Sequence, residues 1–160
     1  MRATTLFNRL LDLPGTSVSE VTFASGVVSV TVSLRRRRLL CPCCDYWTSA
    51  VYDTRPAPSS WRHLDMGKWK LVIRASLRRL NCPAHGVVVE QVPFARHRSG
   101  LTRDFEDLVA YFATKTDKTA ITRILRIDWD TVGRACERVV ADGLDPGRLD
   151  GLVNIGVDEV

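Results

Sequence analysis

The sequence of 160 residues lacks a long apolar run, and this absence excludes a helix that spans a membrane. No stretch approaches the roughly 20 apolar residues that such a helix needs. The opening stretch "MRATTLFNRLLDLPG" also lacks the continuous apolar core of a secretory signal, because polar residues interrupt it. Internal repeats and low-complexity tracts are absent as well. We therefore expect a cytoplasmic protein that has no membrane partner.

Cysteine is scarce, and the five cysteines are odd in number and unevenly placed. Stable disulfides are not expected in a chain that has no export signal, so metal ligation or simple burial is the default role of these side chains. Cys136 falls on the apolar face of a helical pattern and is predicted to be a core residue. The other four cysteines lie close to turn-forming residues.

Charge is unbalanced toward the basic side, with 23 Lys and Arg against 18 Asp and Glu and a net charge of +5. A basic protein of this kind is compatible with a polyanionic partner, but the charge alone does not identify one. Four consecutive arginines occupy residues 35–38. If they form a strand, alternate side chains point to opposite faces, and at most about half of them meet one duplex. A solvated strand end and a phosphate contact both remain open.

The apolar pattern divides the chain into a β half and a helical half, so the predicted fold class is α+β. A helix over residues 4–12 precedes strands around Val21–Phe23 and Val28–Leu34, which flank an "ASG" turn, and two later strands start at Trp69 and Val87. This pattern predicts a small antiparallel β domain over residues 1–93. Residues 94–103 form a basic linker, and three helices follow over residues 104–144. Thr116 or Asp117 can cap the second of these helices and Asp128 the third.

Two short motifs predict a metal site. Cys41-Pro-Cys-Cys44 contains a C-x2-C pair, and Cys82-Pro-Ala-His85 contains a C-x2-H pair. Two such pairs are the usual way to present four ligands to a tetrahedral Zn²⁺, so we predict a structural zinc site in a zinc-ribbon-like domain. Because protein occupies all four positions, no open position is left for catalysis. Cys43 can replace Cys44 as a ligand, but its C-x-C spacing suits a single metal less well, and Cys43 is treated as a bystander.

The second and third helices, joined across Arg126-Ile127-Asp128, predict a helix-turn-helix whose third helix lies in the major groove of double-stranded DNA. An ordinary three-helix bundle with a solvated charged surface is the alternative, and Asp130 and Glu137 on the same face oppose phosphate attraction. Arg134 is the candidate for a base edge and Thr131 for a base or phosphate. The remaining predicted DNA contacts are Arg96, Arg98, Lys115, Lys118, Arg123 and Arg138.

Four stretches together resemble the N-terminal part of bacterial insertion-sequence transposases of the ISL-three type. They are "CPCC", "WRHLDMGKWKLVIRASLRRLNCPAHGVVVEQVPFA", "LTRDFEDLVAYFATKTDKTAITRILRIDWDTVGR" and "LDGLVNIGVDEV". The resemblance implies a zinc-binding domain, a helix-turn-helix that recognises terminal inverted repeats, and a ribonuclease-H-like domain with three catalytic carboxylates. The four predicted metal ligands match the zinc positions of such proteins. A homo-oligomer is compatible with this prediction.

The resemblance also implies that Asp158, in "IGVDE", is the first catalytic carboxylate. Val153, Ile155 and Val157 predict a strand that ends at Asp158, so residues 145–160 would be a linker and the first strand of the catalytic domain. Two-metal phosphoryl chemistry needs several converging carboxylates, and Mg²⁺ would be needed only with the full domain. We therefore expect a truncated transposase that binds DNA and is inactive alone. A repressor of transposition and a zinc-ribbon protein-interaction module are the alternatives.

Overall fold

The computed structural model describes residues 2–145, 147, 150, 151 and 153. The elements in this part of the chain follow the predicted order of a helix, a β region and three helices. The helices are α1 (Ala3–Leu11), α2 (Arg103–Ala113), α3 (Lys118–Leu125) and α4 (Trp129–Gly143). The strands are β1 (Thr16–Ala24), β2 (Val27–Leu34), β3 (Leu39–Leu40), β4 (Trp47–Thr48), β5 (Asp53–Thr54), β6 (Ser59–Met66), β7 (Trp69–Ala75), β8 (Arg78–Cys82) and β9 (Gly86–Val89). The mixed α+β class is confirmed.

The largest sheet has four strands in the order β1-β2-β7-β6. Its two outer pairs are antiparallel hairpins, as predicted, but the central pair β2–β7 is parallel. The prediction of a wholly antiparallel β domain is therefore wrong at this pair. The chain leaves the sheet after Leu34, forms β3–β5 and returns through β6, so β7 comes to run in the same direction as β2. An alternating apolar pattern specifies which face a residue occupies and is silent on strand direction.

The predicted "ASG" turn is confirmed. Ser25 and Gly26 have φ values of 48° and 76° and form a two-residue loop between the paired residues Ala24 and Val27. Positive φ at both central positions is the geometry whose twist matches that of a hairpin. The turn therefore sets the β1–β2 register, which places alternate valines of β2 in the core.

The core of this sheet lies between its inner face and α1. Val28, Val30, Leu71 and Ile73 are almost completely buried, and Phe7 of α1 packs against the same cluster. The beginning of the predicted linker takes part as well. Phe94 meets Trp61 edge to face, with the ring centroids 5.0 Å apart, and both side chains are buried.

The helices form a second core and pack against the edge of the sheet. Leu101 pairs with Arg62 of β6 in a short parallel bridge, and Leu64 of the same strand packs against the helical core. The chain segment before α2 thus covers the open edge of β6, whose backbone groups would otherwise be exposed. This contact, together with the pairing of Arg126 with Asp65 of β6, holds the helical half against the sheet.

A pH-dependent contact lies in the same interface. His63 of β6 is buried, and its Nδ1 lies 2.8 Å from the Oγ1 of Thr102, the residue before α2. Burial lowers the pKa of His63, and the more distant charge of Asp104 only partly offsets this. In the unfolded chain the histidine returns to its ordinary pKa of about 6.5, so the unfolded state binds a proton first as the pH falls.

We expect the free energy of unfolding to fall between about pH 7 and pH 5, by up to about 1.4 kcal/mol per pH unit from this one group. Urea unfolding of the wild type and of His63→Gln across this range measures it, and the variant should show a flatter profile. The control variant is His97→Gln. His97 is exposed, and although its pKa is also lowered, the smaller loss of water around it should make its effect on the slope the smaller one. Parallel profiles for His63→Gln and the wild type would contradict the assignment.

Candidate metal centre and nucleic-acid interface

The four predicted metal ligands lie in two adjacent turns. Cys41 directly follows β3, and Cys44 lies in the loop between β3 and β4. Cys82 ends β8, and His85 lies in the turn before β9, whose first residue Gly86 pairs with Cys82 at a φ of 67°. Positive φ at a glycine carries no steric cost, so this turn can bring His85 back beside Cys82. Secondary structure thus brings together two pairs that are distant in the sequence.

The ligand atoms of these residues, which we call the Cys/His cluster, all lie within 4.8 Å of one another. The sulfur atoms of Cys44 and Cys82 are 3.7 Å apart, and Nδ1 of His85 lies 3.5 Å from the Cys82 sulfur and 3.8 Å from the Cys41 sulfur. A tetrahedral Zn²⁺ with ordinary bond lengths separates two sulfurs by about 3.7 Å, and a sulfur and a nitrogen by about 3.6 Å. The donor set therefore fits a metal ion of this kind.

The electrostatics of the cluster favour a thiolate at Cys82. Burial raises the pKa of this thiol, but hydrogen bonds from His85 and from the backbone N–H groups of Ala84 and His85 outweigh burial and lower the pKa to about 6. The opposite holds for Cys44. There the backbone hydrogen bond at Tyr46 lowers the pKa, while burial and the neighbouring thiols Cys41 and Cys82 raise it more strongly. Since a metal binds the thiolate form, ligation would release protons from this cluster.

Cys43 lies beside the cluster and faces another way. Its backbone N–H donates to the sulfur of Cys41 at 3.5 Å, while its own sulfur lies 3.9 Å from Nε2 of His97. The hydrogen bond to the Cys41 sulfur is of the kind that orients and supports a metal-bound thiolate. This placement is consistent with the bystander role predicted for the Cys43 side chain.

The Cys/His cluster has a very small core of its own. Leu39, Leu80 and the two buried cysteines Cys41 and Cys82 form it, and the two small sheets β3–β4 and β5–β8–β9 surround it. We call the cluster and these two sheets the knuckle. One backbone bond that ties the knuckle to the rest of the chain runs from Gln91 N–H to the Leu40 carbonyl at 2.9 Å. A core of this size buries too little apolar area to stabilise the knuckle without a further link.

In the helical half, α3 and α4 are capped as predicted. The Asp117 side chain accepts from the backbone N–H of Ala120 at 2.9 Å, and the Asp128 side chain accepts from that of Thr131 at 2.7 Å. The bonds from Thr131 lower the pKa of Asp128. Each cap satisfies an N–H group that the helix leaves free. The two helices are thus separated at the turn that the sequence predicted.

Arg126 occupies the sharpest point of this turn, with a φ of 55°. Left-handed backbone is unfavourable for a residue with a side chain, so tertiary contacts must hold it. Its guanidinium binds the carboxylate of Asp65 and donates to the Lys68 carbonyl at 3.0 Å. Arg126 therefore anchors the turn to the β6–β7 hairpin and is occupied internally.

The predicted DNA contacts fall into two groups. Arg96 and Arg138 are held inside the protein by Glu106, which is 0% exposed. Arg96 also binds Asp107 and Asp142, and its side chain is only 10% exposed. Because these carboxylates already bind its guanidinium, the arrangement does not favour the predicted role of Arg96 as a DNA contact. We call the buried carboxylate and its two arginines the Glu106 cluster.

The second group lies on the surface of α3, of α4 and of the turn between α2 and α3, except for Arg98, which lies in the segment before α2. Arg134 is exposed on α4, where Asp128 lies at the outer limit of an ion pair, 3.9 Å away. Within the described residues, no carboxylate pairs with Lys115, Lys118, Arg123 or Arg98. Thr131 is partly occupied, because its hydroxyl donates to Asp128 at 2.7 Å.

The sequence analysis missed Trp129. This residue begins α4 and is 54% exposed. The ammonium group of Lys118 lies 4.5 Å from the centroid of its ring. An exposed tryptophan beside a lysine at the start of the second helix of a helix-turn-helix pattern is a candidate contact to DNA. Its position just after the Asp128 cap was the available signal. Ile124 of α3 and Val140 of α4 are also exposed.

Residues 154–160, which include Asp158, lie outside the residues that the structure describes. The first-carboxylate assignment therefore stays a prediction, as does the strand that would carry it. None of the described helices has the length and apolar content that a membrane span requires.

Together, the fold and the site define a helix-turn-helix protein with a Cys/His cluster that can bind a metal. Residues 90–140 match the helix-turn-helix domain of transposase family ISL3. The chain is also 42% identical over 112 residues to the transposase for insertion sequence element IS1557 of Mycobacterium tuberculosis, in strains CDC 1551 / Oshkosh and ATCC 25618 / H37Rv. These matches confirm the resemblance to the N-terminal region of an ISL3-type transposase.

The match to the transposase covers 68% of this chain and 25% of the relative. The chain thus spans about a quarter of the length of the curated relatives that it matches. No solved structure gives a significant match.

Proposed function

We propose that this chain binds double-stranded DNA at the terminal inverted repeats of its insertion element, as the DNA-recognition part of a transposase. The helix α4 would enter the major groove, and the turn between α2 and α3, together with α3, would contact the phosphate backbone. The match of residues 90–140 to a transposase helix-turn-helix supports this role.

The observation that carries the proposal is the separation of the basic side chains into two groups. The arginines of the Glu106 cluster are neutralised inside the fold, whereas Lys115, Lys118 and Arg123 project from the α2–α3–α4 surface without a carboxylate partner among the described residues. A phosphate backbone is the polyanion that such cations contact. Arg134, one turn into α4, is then placed to reach a base edge.

Zn²⁺ would be held by Cys41, Cys44, Cys82 and His85 and would supply structural cross-linking. The four donors would occupy all four positions of a tetrahedral ion and leave none for water, so a water-activating role is not part of the proposal. The zinc-stabilised knuckle would then position the sheet against which α2 and the α3–α4 turn pack.

The catalytic step is a proposal about the whole transposase. By resemblance, Asp158 would be one of several carboxylates that hold Mg²⁺ for phosphodiester cleavage and strand transfer. Such chemistry requires converging acids from further along a complete catalytic domain. We assign no step of this reaction to the described residues.

Substitution Arg134→Ala tests sequence reading by α4. We expect the binding free energy for the preferred duplex to weaken by about 1–3 kcal/mol, which is roughly 5- to 150-fold in affinity, while binding to unrelated DNA changes little. The probe is a duplex of about three helical turns, enriched by this protein from a randomised library and compared with its scrambled version by fluorescence anisotropy. Arg74→Ala, at an exposed arginine of β7, is the control for loss of one charge.

Equal affinity of the wild type for the enriched and scrambled duplexes would overturn sequence-specific binding. In that case the protein-interaction alternative would gain support. If Arg134→Ala and Arg74→Ala lose the same small amount on both duplexes, α4 does not read the sequence through Arg134.

A further inference from the structure

The four consecutive arginines form an exposed loop. Residues Arg35–Arg38, which we call the arginine loop, connect β2 to β3 and lie outside both strands. All four side chains are exposed. The strand alternation that would have turned half of them away from a common partner therefore does not apply.

The backbone of the arginine loop is held in place. Arg35 N–H donates to the Gly15 carbonyl at 2.9 Å, and Arg78, itself paired with the buried Glu90, donates to the Arg36 carbonyl at 3.0 Å. The Arg35 Nε also donates to the Ser17 hydroxyl at 2.7 Å. Because the main chain is ordered in advance, a ligand would have to immobilise only side chains.

The charges of this loop are not neutralised within the described part of the protein. No carboxylate lies within ion-pair distance of Arg35–Arg38, whereas Arg62, Arg78, Arg79, Arg96, Arg103, Arg126, Arg134 and Arg138 all have one. The Arg38 guanidinium instead lies 4.1 Å from the ring centroid of Trp47, in the knuckle. Stacking on an aromatic ring leaves the N–H edges of a guanidinium free to bind phosphate oxygens.

The loop and the helix-turn-helix lie toward opposite ends of one sheet. The loop follows the end of β2, which runs parallel to β7, while Arg126 contacts Lys68 just before the start of β7. Val27, the first residue of β2, is paired with Lys70, and the eight residues of β2 span about 25 Å at the usual strand rise. One turn of B-DNA spans about 34 Å. The separation along the sheet is thus comparable to a single turn of the duplex.

We propose that the arginine loop is a second DNA-binding surface, which binds backbone phosphates of the duplex next to the segment read by α4. The inference rests on the proposed DNA-binding function and extends it. The loop adds affinity and fixes the orientation of the protein on the inverted repeat, without reading bases. Through Trp47 it also links DNA binding to the zinc-stabilised part of the fold.

The test compares Arg36→Ala/Arg37→Ala with Arg2→Ala/Arg9→Ala, a double variant that removes the same charge at α1. The full chain with bound zinc is titrated onto the enriched duplex at several salt concentrations. For the loop variant we expect the slope of log affinity against log salt to shrink by about 0.9 for each phosphate that the protein no longer binds. Hydroxyl-radical footprinting should show weaker protection on one flank and unchanged protection at the α4 segment.

The variant Arg36→Lys/Arg37→Lys keeps the charge. It should therefore keep most of the salt slope and most of the footprint protection on the flank. Zinc content and thermal midpoint, measured for every variant, separate weaker phosphate binding from unfolding. The proposal is overturned if the loop variant has wild-type zinc content and still shows the wild-type salt slope and the wild-type protection on the flank. It is also overturned if the α1 variant reduces the slope as much. The proposal is overturned as well if the loop variant loses binding to RNA or to anionic vesicles while its binding to DNA is unchanged.

The two proposals fail in different ways. If the wild type does not distinguish the enriched from the scrambled duplex but the loop variant still reduces the salt slope, sequence reading by α4 fails and phosphate binding by the loop stands. If the wild type distinguishes the duplexes and the loop variant does so with an unchanged slope, only phosphate binding by the loop fails.

Discussion

Substitution Cys82→Ser is expected to abolish zinc binding and unfold the knuckle. Cys82 is buried, its sulfur lies 3.7 Å from that of Cys44 and 3.5 Å from Nδ1 of His85, and the core around it contains few side chains. Apparent binding energies of structural zinc are of order 10 kcal/mol, comparable to the total stability of a domain. Loss of one ligand should therefore remove most of the free energy that keeps the knuckle folded.

Elemental analysis of reduced protein, together with hydrogen exchange at Leu39 and Leu80, measures this prediction. Both amides should lose protection in Cys82→Ser and in wild-type protein treated with a chelator. Cys43→Ser is the matched control, because it makes the same replacement at an exposed cysteine beside the cluster and should keep the metal. A folded wild-type protein without transition metal and with unchanged protection would remove the structural role of the cluster.

Substitution Glu106→Ala is expected to destabilise the helical half by about 3–5 kcal/mol, since it removes the buried carboxylate of two ion pairs and leaves Arg138 without a carboxylate partner among the described residues. Glu106 is fully buried and accepts from Arg96 at 3.1 Å, Arg138 at 2.5 Å and Ser99 at 2.6 Å. These bonds join α2 to α4 and to the segment before α2. Urea unfolding followed by helical circular dichroism measures the loss.

Asp107→Ala is the matched control for this cluster. Asp107 also binds Arg96, at 2.8 Å, but its side chain is 56% exposed. Water screens such a pair, so its loss should cost at most about 1 kcal/mol. A Glu106→Ala protein as stable as Asp107→Ala would show that the buried charges find other partners.

The helices and their limits were predictable from local sequence. Asp117 and Asp128 precede apolar repeats of helical period, and both act as caps in the structure. The two pairs of the Cys/His cluster were predictable for a similar reason. Each pair lies in one turn, so a spacing of three residues already specifies which side chains face the same way.

Other features depend on residues that are distant in the sequence. Glu106 is an acid in the first turn of α2, and the structure makes it the buried centre of a cluster that spans two helices. Arg96 belongs to the predicted basic linker, but in the structure it forms an internal ion pair with Glu106. No local pattern distinguishes a solvated charge from one that faces a complementary charge across an interface.

By itself, the sequence determined the α+β order, the three-helix pattern and the two Cys and His pairs of the cluster, because these depend on contacts between near neighbours. Only the tertiary structure decided that β2 and β7 are parallel, that Arg96 and Arg138 are neutralised internally, and that no carboxylate of the described residues pairs with Arg35–Arg38. The physical reason is that strand direction and charge pairing are set by the path of the whole chain. Arg96 and Arg98 are two residues apart in the sequence, yet Arg96 is paired internally and no carboxylate of the described residues pairs with Arg98.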